Sequence, residues 1–248
     1  MTVRLLFVPH RVAAARRKRR SGWPGLLVLL VWGLASGFAV GLPVAACAQA
    51  AASASAQSAV GGVALLEQWV KSTHSARARF TQSVVDEKGR ATAPSGGSFE
   101  FERPGKFRWI YTKPYQQDII SDGQTIWTYD HDLDQVTVSM QSRALSGTPA
   151  ALLAGEDVNK IFALSPLPST SGLQWVQAVP RSKDSTFDWV RIGLKPTPQG
   201  PELVEMQLRD AFRRTSTIVF SHTQRNPVFA AGSFHFTAPQ GASVIQQP

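Results

Sequence analysis

The chain has 248 residues, 26 of them Lys or Arg against 17 Asp or Glu, for a formal charge of +9, and it carries a single cysteine. With 43% hydrophobic and 17% charged residues it can build a packed core, which excludes a disordered chain, and one thiol excludes an internal disulfide framework. The charge does not mark a nucleic-acid binder, because seven basic residues (Arg4, Arg11, Arg16, Arg17, Lys18, Arg19 and Arg20) and no acid fall within residues 1–22.

An apolar run from Gly25 to Val44 follows this basic start, and Ala48-Gln49-Ala50 then offers a small-residue cleavage site. About 20 apolar residues would also just span a bilayer. The Ala/Ser-rich stretch Ala51–Ser58 that follows favours a cleaved secretory signal over 1–50 instead. Removing its seven cations leaves 19 basic against 17 acidic residues, a balance of +2, on a chain of 198 residues. Cys47 sits in Val44-Ala45-Ala46-Cys47, which loosely resembles a bacterial lipoprotein processing box. A Val in place of the usual Leu, and the second site three residues on, favour loss of Cys47 with the signal. The expected organisation is a signal over 1–50, a flexible leader over 51–60 and one domain over 61–248.

Residues Val63–Lys71 have an amphipathic helical pattern, with Leu66, Trp69 and Val70 on one face. From Ala76 the period changes to two: Ala78, Phe80 and Gln82 alternate with Arg77, Arg79 and Thr81. After a polar loop over Glu87–Gly96, four short strands are expected between Gly97 and Asp130. Their apolar members are Phe99 and Phe101, then Phe107, Trp109 and Tyr111, then Ile119, then Trp127 and Tyr129. Pro104-Gly105 and Asp122-Gly123 mark the turns. The aromatics make one sheet face wide and apolar, although strand parity allows only some of them to share it. A further strand is expected at Gln135–Met140. Thr148 as N-cap, Pro149 and a closing Gly155 predict a short helix containing Leu152 and Leu153, and a second is expected over Asp157–Ala163. Strands resume at Leu173–Val179, Thr186–Leu194, Glu202–Arg209, Thr215–Ser221 and Ser233–Thr237. About eleven strands and three short helices, with turn signals every 8–12 residues, predict a mostly β, α+β domain built on one strongly curved antiparallel sheet.

The usual enzyme signatures are missing: there is no G-x-S-x-G, H-E-x-x-H, P-loop or dinucleotide fingerprint. Asp130-His131-Asp132-Leu133-Asp134 is read as a solvated turn between strands rather than a metal site. The reading is of a non-enzyme without metal or cofactor.

Several segments resemble one family. Phe80-Thr81-Gln82, Arg103-Pro104-Gly105-Lys106-Phe107-Arg108-Trp109, Ser121-Asp122-Gly123, Trp127-x-Tyr129, Thr148-Pro149 and Phe236-Thr237-Ala238-Pro239-Gln240-Gly241 look like the outer-membrane lipoprotein carrier (LolA) family, in the same order. The resemblance implies an incomplete, half-closed β-barrel with helices as a lid, acting as a periplasmic chaperone. Its implied partners are acylated lipoproteins as cargo, an inner-membrane ABC transporter that releases them and an outer-membrane receptor. No nucleic acid is implied, and a monomer is the default. A lipid-binding cavity is then expected from Phe99, Phe101, Phe107, Trp109, Tyr111, Ile119, Trp127 and Tyr129. Leu66, Trp69, Val70, Leu152 and Leu153 are expected to form the lid. Arg103 matches the family arginine that holds the lid shut through hydrogen bonds to the lid helices, and a guanidinium fork suits the free carbonyls at helix ends. Phe107 occupies a family position implicated in cavity lining or docking. Ala150-Ala151 departs from the bulkier apolar residues expected of a relative. Competing readings are a receptor of the same shape lipidated at Cys47, a periplasmic lipid-sensing regulator and an uncharacterised hydrolase.

Overall fold

The computed structural model describes residues 61–140, 149–155, 157–183 and 185–247, with residues 149–151 described by backbone alone. The expected signal, leader, Cys47 and Thr148 lie outside the described residues. All described residues belong to one unit, Val44–Pro248. Among them no helix is long and apolar enough to cross a membrane.

Helix α1 covers 61–72. Six strands follow: β1 Ser75–Val85, β2 Ser95–Glu102, β3 Lys106–Lys113, β4 Gln117–Asp122, β5 Thr125–Asp130 and β6 Gln135–Met140. Two short helices, α2 Pro149–Ala154 and α3 Val158–Ile161, lead to β7 Phe162–Thr170, β8 Leu173–Pro180, β9 Phe187–Lys195, β10 Glu202–Asp210 and β11 Thr215–Arg225. A final strand, β12, is Ser243–Gln246. The twelve strands form one sheet in the order β12-β6-β5-β4-β3-β2-β1-β11-β10-β9-β8-β7. β1 therefore lies inside the sheet. The chain steps outward by hairpins from β1 to β6, crosses through α2 and α3 to the far edge, and steps back from β7 until β11 pairs with β1. Every pair is antiparallel except β12 with β6, which is parallel.

Alternation in β1 is strict: Ala76, Ala78, Phe80, Gln82 and Val84 are buried and the residues between them are exposed. The register carries the buried face across the sheet. Ala78 pairs Phe99, Phe99 pairs Trp109 and Trp109 pairs Ile119. In the other direction Phe80 pairs Phe220, Ile218 pairs Met206 and Met206 pairs Ile192. Breaks in register at Arg77/Arg79, Gly96/Gly97 and Leu203/Glu205 bend strands of an otherwise regular ladder, and the helices pack on the face so enclosed.

Three expectations change. Ser233–Thr237 is not a strand. Its alternate aromatics lie across the outer face, where Phe236 meets Trp127 and Tyr129 with ring centroids 6.3 and 6.0 Å apart. The second helix stops at Ile161 and its expected last residue, Ala163, belongs to β7. Pro166 and Pro168 hide this strand in the sequence, but it is an edge strand, the place where missing N–H donors are tolerated. β12 is too short to stand out in the sequence, and its parallel pairing departs from the all-antiparallel expectation. The sheet that results is curved but not closed.

Gly97 marks the tightest place in the sheet: a Cβ there would sit 1.8 Å from the Ile110 carbonyl oxygen. Gly97→Ala should therefore force β2 from β3 and cost about 3 kcal/mol or more, read as a lower urea midpoint with an unchanged slope.

Candidate functional site

The concave face is lined mainly by apolar side chains. Phe80, Phe99, Phe101, Phe107 and Trp109 lie on it, and all are buried. Phe99 is a hub: its ring lies 4.6 Å from Trp109, 5.8 Å from Phe101 and 6.2 Å from Phe220 between centroids. Tyr111 and Ile119 share this face and are half-buried against the same cluster. The far half, from Ile218, Met206, Leu208, Ile192, Val190 and Val176, was not singled out in the sequence. Its residues are ordinary aliphatics whose role depends only on which strands lie side by side.

Trp127 and Tyr129 correct the expected cavity set. Trp127 pairs Ile120 and Tyr129 pairs Asp118. These partners stand opposite Arg108 and Ile110, not opposite Phe107 and Trp109. Both aromatics thus face the outer side, beneath the segment that carries His235 and Phe236. A one-residue offset between the turns on either side of β4 sets this parity.

Three helices cover the concave face. Leu66 and Trp69 of α1 and Leu152 and Leu153 of α2 are at most 2% exposed, and Val70 packs at the margin of the same cluster. Gly62 brings α1 close: a Cβ there would meet the Trp175 carbonyl oxygen at 2.7 Å. Between α1 and the sheet, bounded by Trp69, Ala78, Phe99, Phe101 and Phe220 among others, remains a cavity of about 10 Å³, room for roughly one water. With the helices seated, their buried side chains pack directly on the apolar wall of the sheet.

Arg103 joins the helices. Its Nε donates to the Thr73 carbonyl just after α1 at 2.9 Å, and one terminal nitrogen donates to the Gly155 carbonyl just after α2. The guanidinium also stacks over Trp69 and Phe101, 5.3 and 5.1 Å from their centroids. Both carbonyls are C-terminal orphans, so a fixed cation satisfies hydrogen bonding and helix dipole together. The neighbouring backbone adds two bonds, Arg103 N–H to the His74 carbonyl at 2.8 Å and Gly105 N–H to the Ala154 carbonyl at 2.9 Å. From outside the sheet, Asn226 pins the same α1 junction: its Oδ1 accepts from His74 N–H at 2.8 Å and its Nδ2 donates to the Ser72 carbonyl at 3.0 Å. No sequence signal reveals Asn226, since it lies about 150 residues from its partners.

One polar group lies within the aromatic cluster. Tyr111 donates from its hydroxyl to Gln82 Oε1 at 2.9 Å, and burial pushes its phenol well above the usual range. Among the described residues no cluster of His, Cys, Asp and Glu is arranged to hold a metal. In the turn Asp130–Asp134, Asp130 accepts from the backbone N–H of Asp132 and Leu133, and Asp134 accepts from the Tyr129 hydroxyl.

Such a bowl, apolar within and covered by short tethered helices, defines a class of protein that sequesters apolar ligands. The family model for the outer membrane lipoprotein carrier protein LolA matches residues 71–237. An outer-membrane lipoprotein carrier protein of Methylobacillus flagellatus is 45% identical over 185 residues, 74% of this chain and 88% of that protein. Another, from Albidiferax ferrireducens, is 43% identical over 195 residues, 75% of this chain and 92% of that one. A solved LolA superfamily structure from Nitrosomonas europaea aligns with a TM-score of 0.40 at 11% identity, over 67% of this chain and 94% of that one. The chain belongs to the LolA family.

Arg103→Lys keeps the charge but replaces the fork by one ammonium that cannot reach both carbonyls. Amide hydrogen exchange in 61–72 and 149–155 should accelerate about tenfold or more while β1, β2 and β11 stay protected. For Tyr111 the folded pKa exceeds the unfolded one, near 10. Its contribution to stability is therefore whole below that pH and is lost as pH rises through the folded value. An alkaline titration followed by phenolate absorbance should show a late step that Tyr111→Phe removes.

Proposed function

We propose that this chain is a periplasmic carrier that takes acylated lipoproteins from an inner-membrane ABC transporter, shields their acyl chains against the concave face and yields them to an outer-membrane receptor. Residues 1–50 are removed on export, and the carrier works as a monomer without catalysis, metal or cofactor. The observation that carries this reading is the closure of an apolar bowl by helices of a dozen residues or fewer, held through carbonyls that one arginine reaches. Helices of this length are marginal by themselves, so their seating depends on contacts that an entering chain can replace.

The energetics favour a closed bowl that must open. Burying each CH₂ gains about 0.8 kcal/mol, so three chains of ~16 carbons would sum to tens of kcal/mol, beyond a practical ceiling of about 20. A carrier that must release its cargo needs a competing state of similar depth. The seated helices supply it, because Leu66, Trp69, Leu152 and Leu153 already bury the face that lipid would cover. Phe99, Phe101, Phe107, Trp109, Tyr111 and Ile119 are then the lipid-facing wall, and Arg103 is the latch. Each bond it makes, a charged donor to a carbonyl, stabilises the closed form by about 1.5–3 kcal/mol.

Purified residues 51–248, incubated with energised inner membranes bearing a labelled outer-membrane lipoprotein, should release a soluble complex of about one lipoprotein per carrier. Failure of release with an active transporter would favour a receptor lipidated at Cys47, which the N-terminal mass of the mature protein would show, or a periplasmic lipid-sensing regulator. Arg103→Leu should load lipoprotein but deliver it at least about tenfold less, because the closed state that drives cargo out has lost its latch. Normal delivery by that variant would remove Arg103 from the mechanism.

A further inference from the structure

The concave face is not uniformly apolar. Where β1, β2 and β3 run side by side, at the end away from Arg103, three polar side chains converge. Gln82 lies on β1 and is only 5% exposed. Tyr111 lies on β3 and donates to its carboxamide oxygen at 2.9 Å. Trp109, two residues before Tyr111 on the same face, is also 5% exposed. Phe80 packs between them, 5.2 Å from Trp109 and 5.1 Å from Tyr111 between ring centroids.

One buried donor of this trio has no hydrogen-bond partner. The Trp109 indole N–H is buried without an acceptor that meets hydrogen-bond geometry, although it lies near enough to act on the Tyr111 phenol. A buried donor left unpaired is costly, and a wall serving hydrocarbon alone would have no use for these groups. The complementary ligand brings an acceptor on an apolar chain. It should be an uncharged acceptor, because Gln82, Tyr111 and Trp109 offer neutral dipoles rather than a cation. A carbonyl at the head of a fatty acyl chain meets both conditions.

We propose that Gln82, Tyr111 and Trp109 form a polar subsite on the concave face that holds the ester or amide carbonyl of a bound acyl chain. The inference rests on the lipid-carrying reading and adds an orientation to it. Tyr111 is four strand residues, about 13 Å, from Phe107. An acyl chain anchored at the trio runs along the aromatic wall toward Phe101 and Trp69, and its methyl end displaces the lid beneath Arg103.

The test compares two ligands that differ only in the carbonyl. A medium-chain diacylglycerol and the dialkyl ether of the same chain length are titrated into the full mature chain by calorimetry, with an N-acyl amide as a third probe. Expected is a preference of about tenfold for ester over ether, the value of satisfying a buried donor, with the amide like the ester. Gln82→Met/Tyr111→Phe, which removes a bonded pair together and so should fold, is expected to bring the ester-to-ether ratio near unity. Trp109→Phe, which keeps an aromatic ring, should narrow it separately. Equal binding of ester and ether by the unmutated chain overturns the inference while leaving the carrier reading intact. A preference that survives both variants also overturns it, by placing the carbonyl elsewhere. If neither ligand binds, the lipid-carrying reading fails and the subsite with it.

Discussion

A guanidinium held between two helix ends organises this molecule. Arg103 reaches the carbonyl after α1 and the carbonyl after α2 while its guanidinium carbon lies over the rings of Trp69 and Phe101. It therefore ties α1 and α2 to the turn between β2 and β3. Its position on that turn fixes the geometry, because the sheet supplies a rigid base from which one side chain spans both helix termini. In the partly buried setting between helices and sheet, hydrogen bonds to a charged donor are stronger than at the surface, yet all are lost together if the helices lift.

The remaining architecture supports the same packing of helices on sheet. Breaks in register bend the ladder, so that an apolar face too wide for ordinary packing becomes a bowl. The crossover from β6 to β7 must pass from one edge of the sheet to the other, and its helices α2 and α3 pack on the concave face. The two edges are treated differently. β7 carries Pro166 and Pro168, which deny a further strand its donors, whereas β6 is covered by β12 in parallel. On the outer side, the segment after Asn226 lays Phe229, Phe234 and Phe236 across the strands, and Arg77 stacks on Phe229. The outer aromatics thus lie beneath this segment, while those within pack on one another and under short helices.

Much of the site was legible because strands write their faces at period two. β1 to β6 were readable from alternation and turn residues, and the inner set Phe99, Phe101, Phe107, Trp109 and Tyr111 follows from parity within β2 and β3. Trp127 and Tyr129 were misplaced because their face depends on the register across β4, which no residue within β5 encodes. β7 was missed because prolines argue against a strand unless it is known to lie at an edge. Asn226 and the carbonyls of Thr73 and Gly155 carry no side-chain signature at all.

The sequence by itself determined the β-rich class, the short helices, the family and the identity of Arg103, since these rest on local patterning and on motifs contiguous in the chain. Only the tertiary structure decided which aromatics share the concave face, which carbonyls Arg103 binds, and that Gln82 stands beside Tyr111 and Trp109. Those facts depend on strand order and register, through which residues far apart in the chain become neighbours. Their energies arise from burial, and a residue's burial is set by what the rest of the chain places over it.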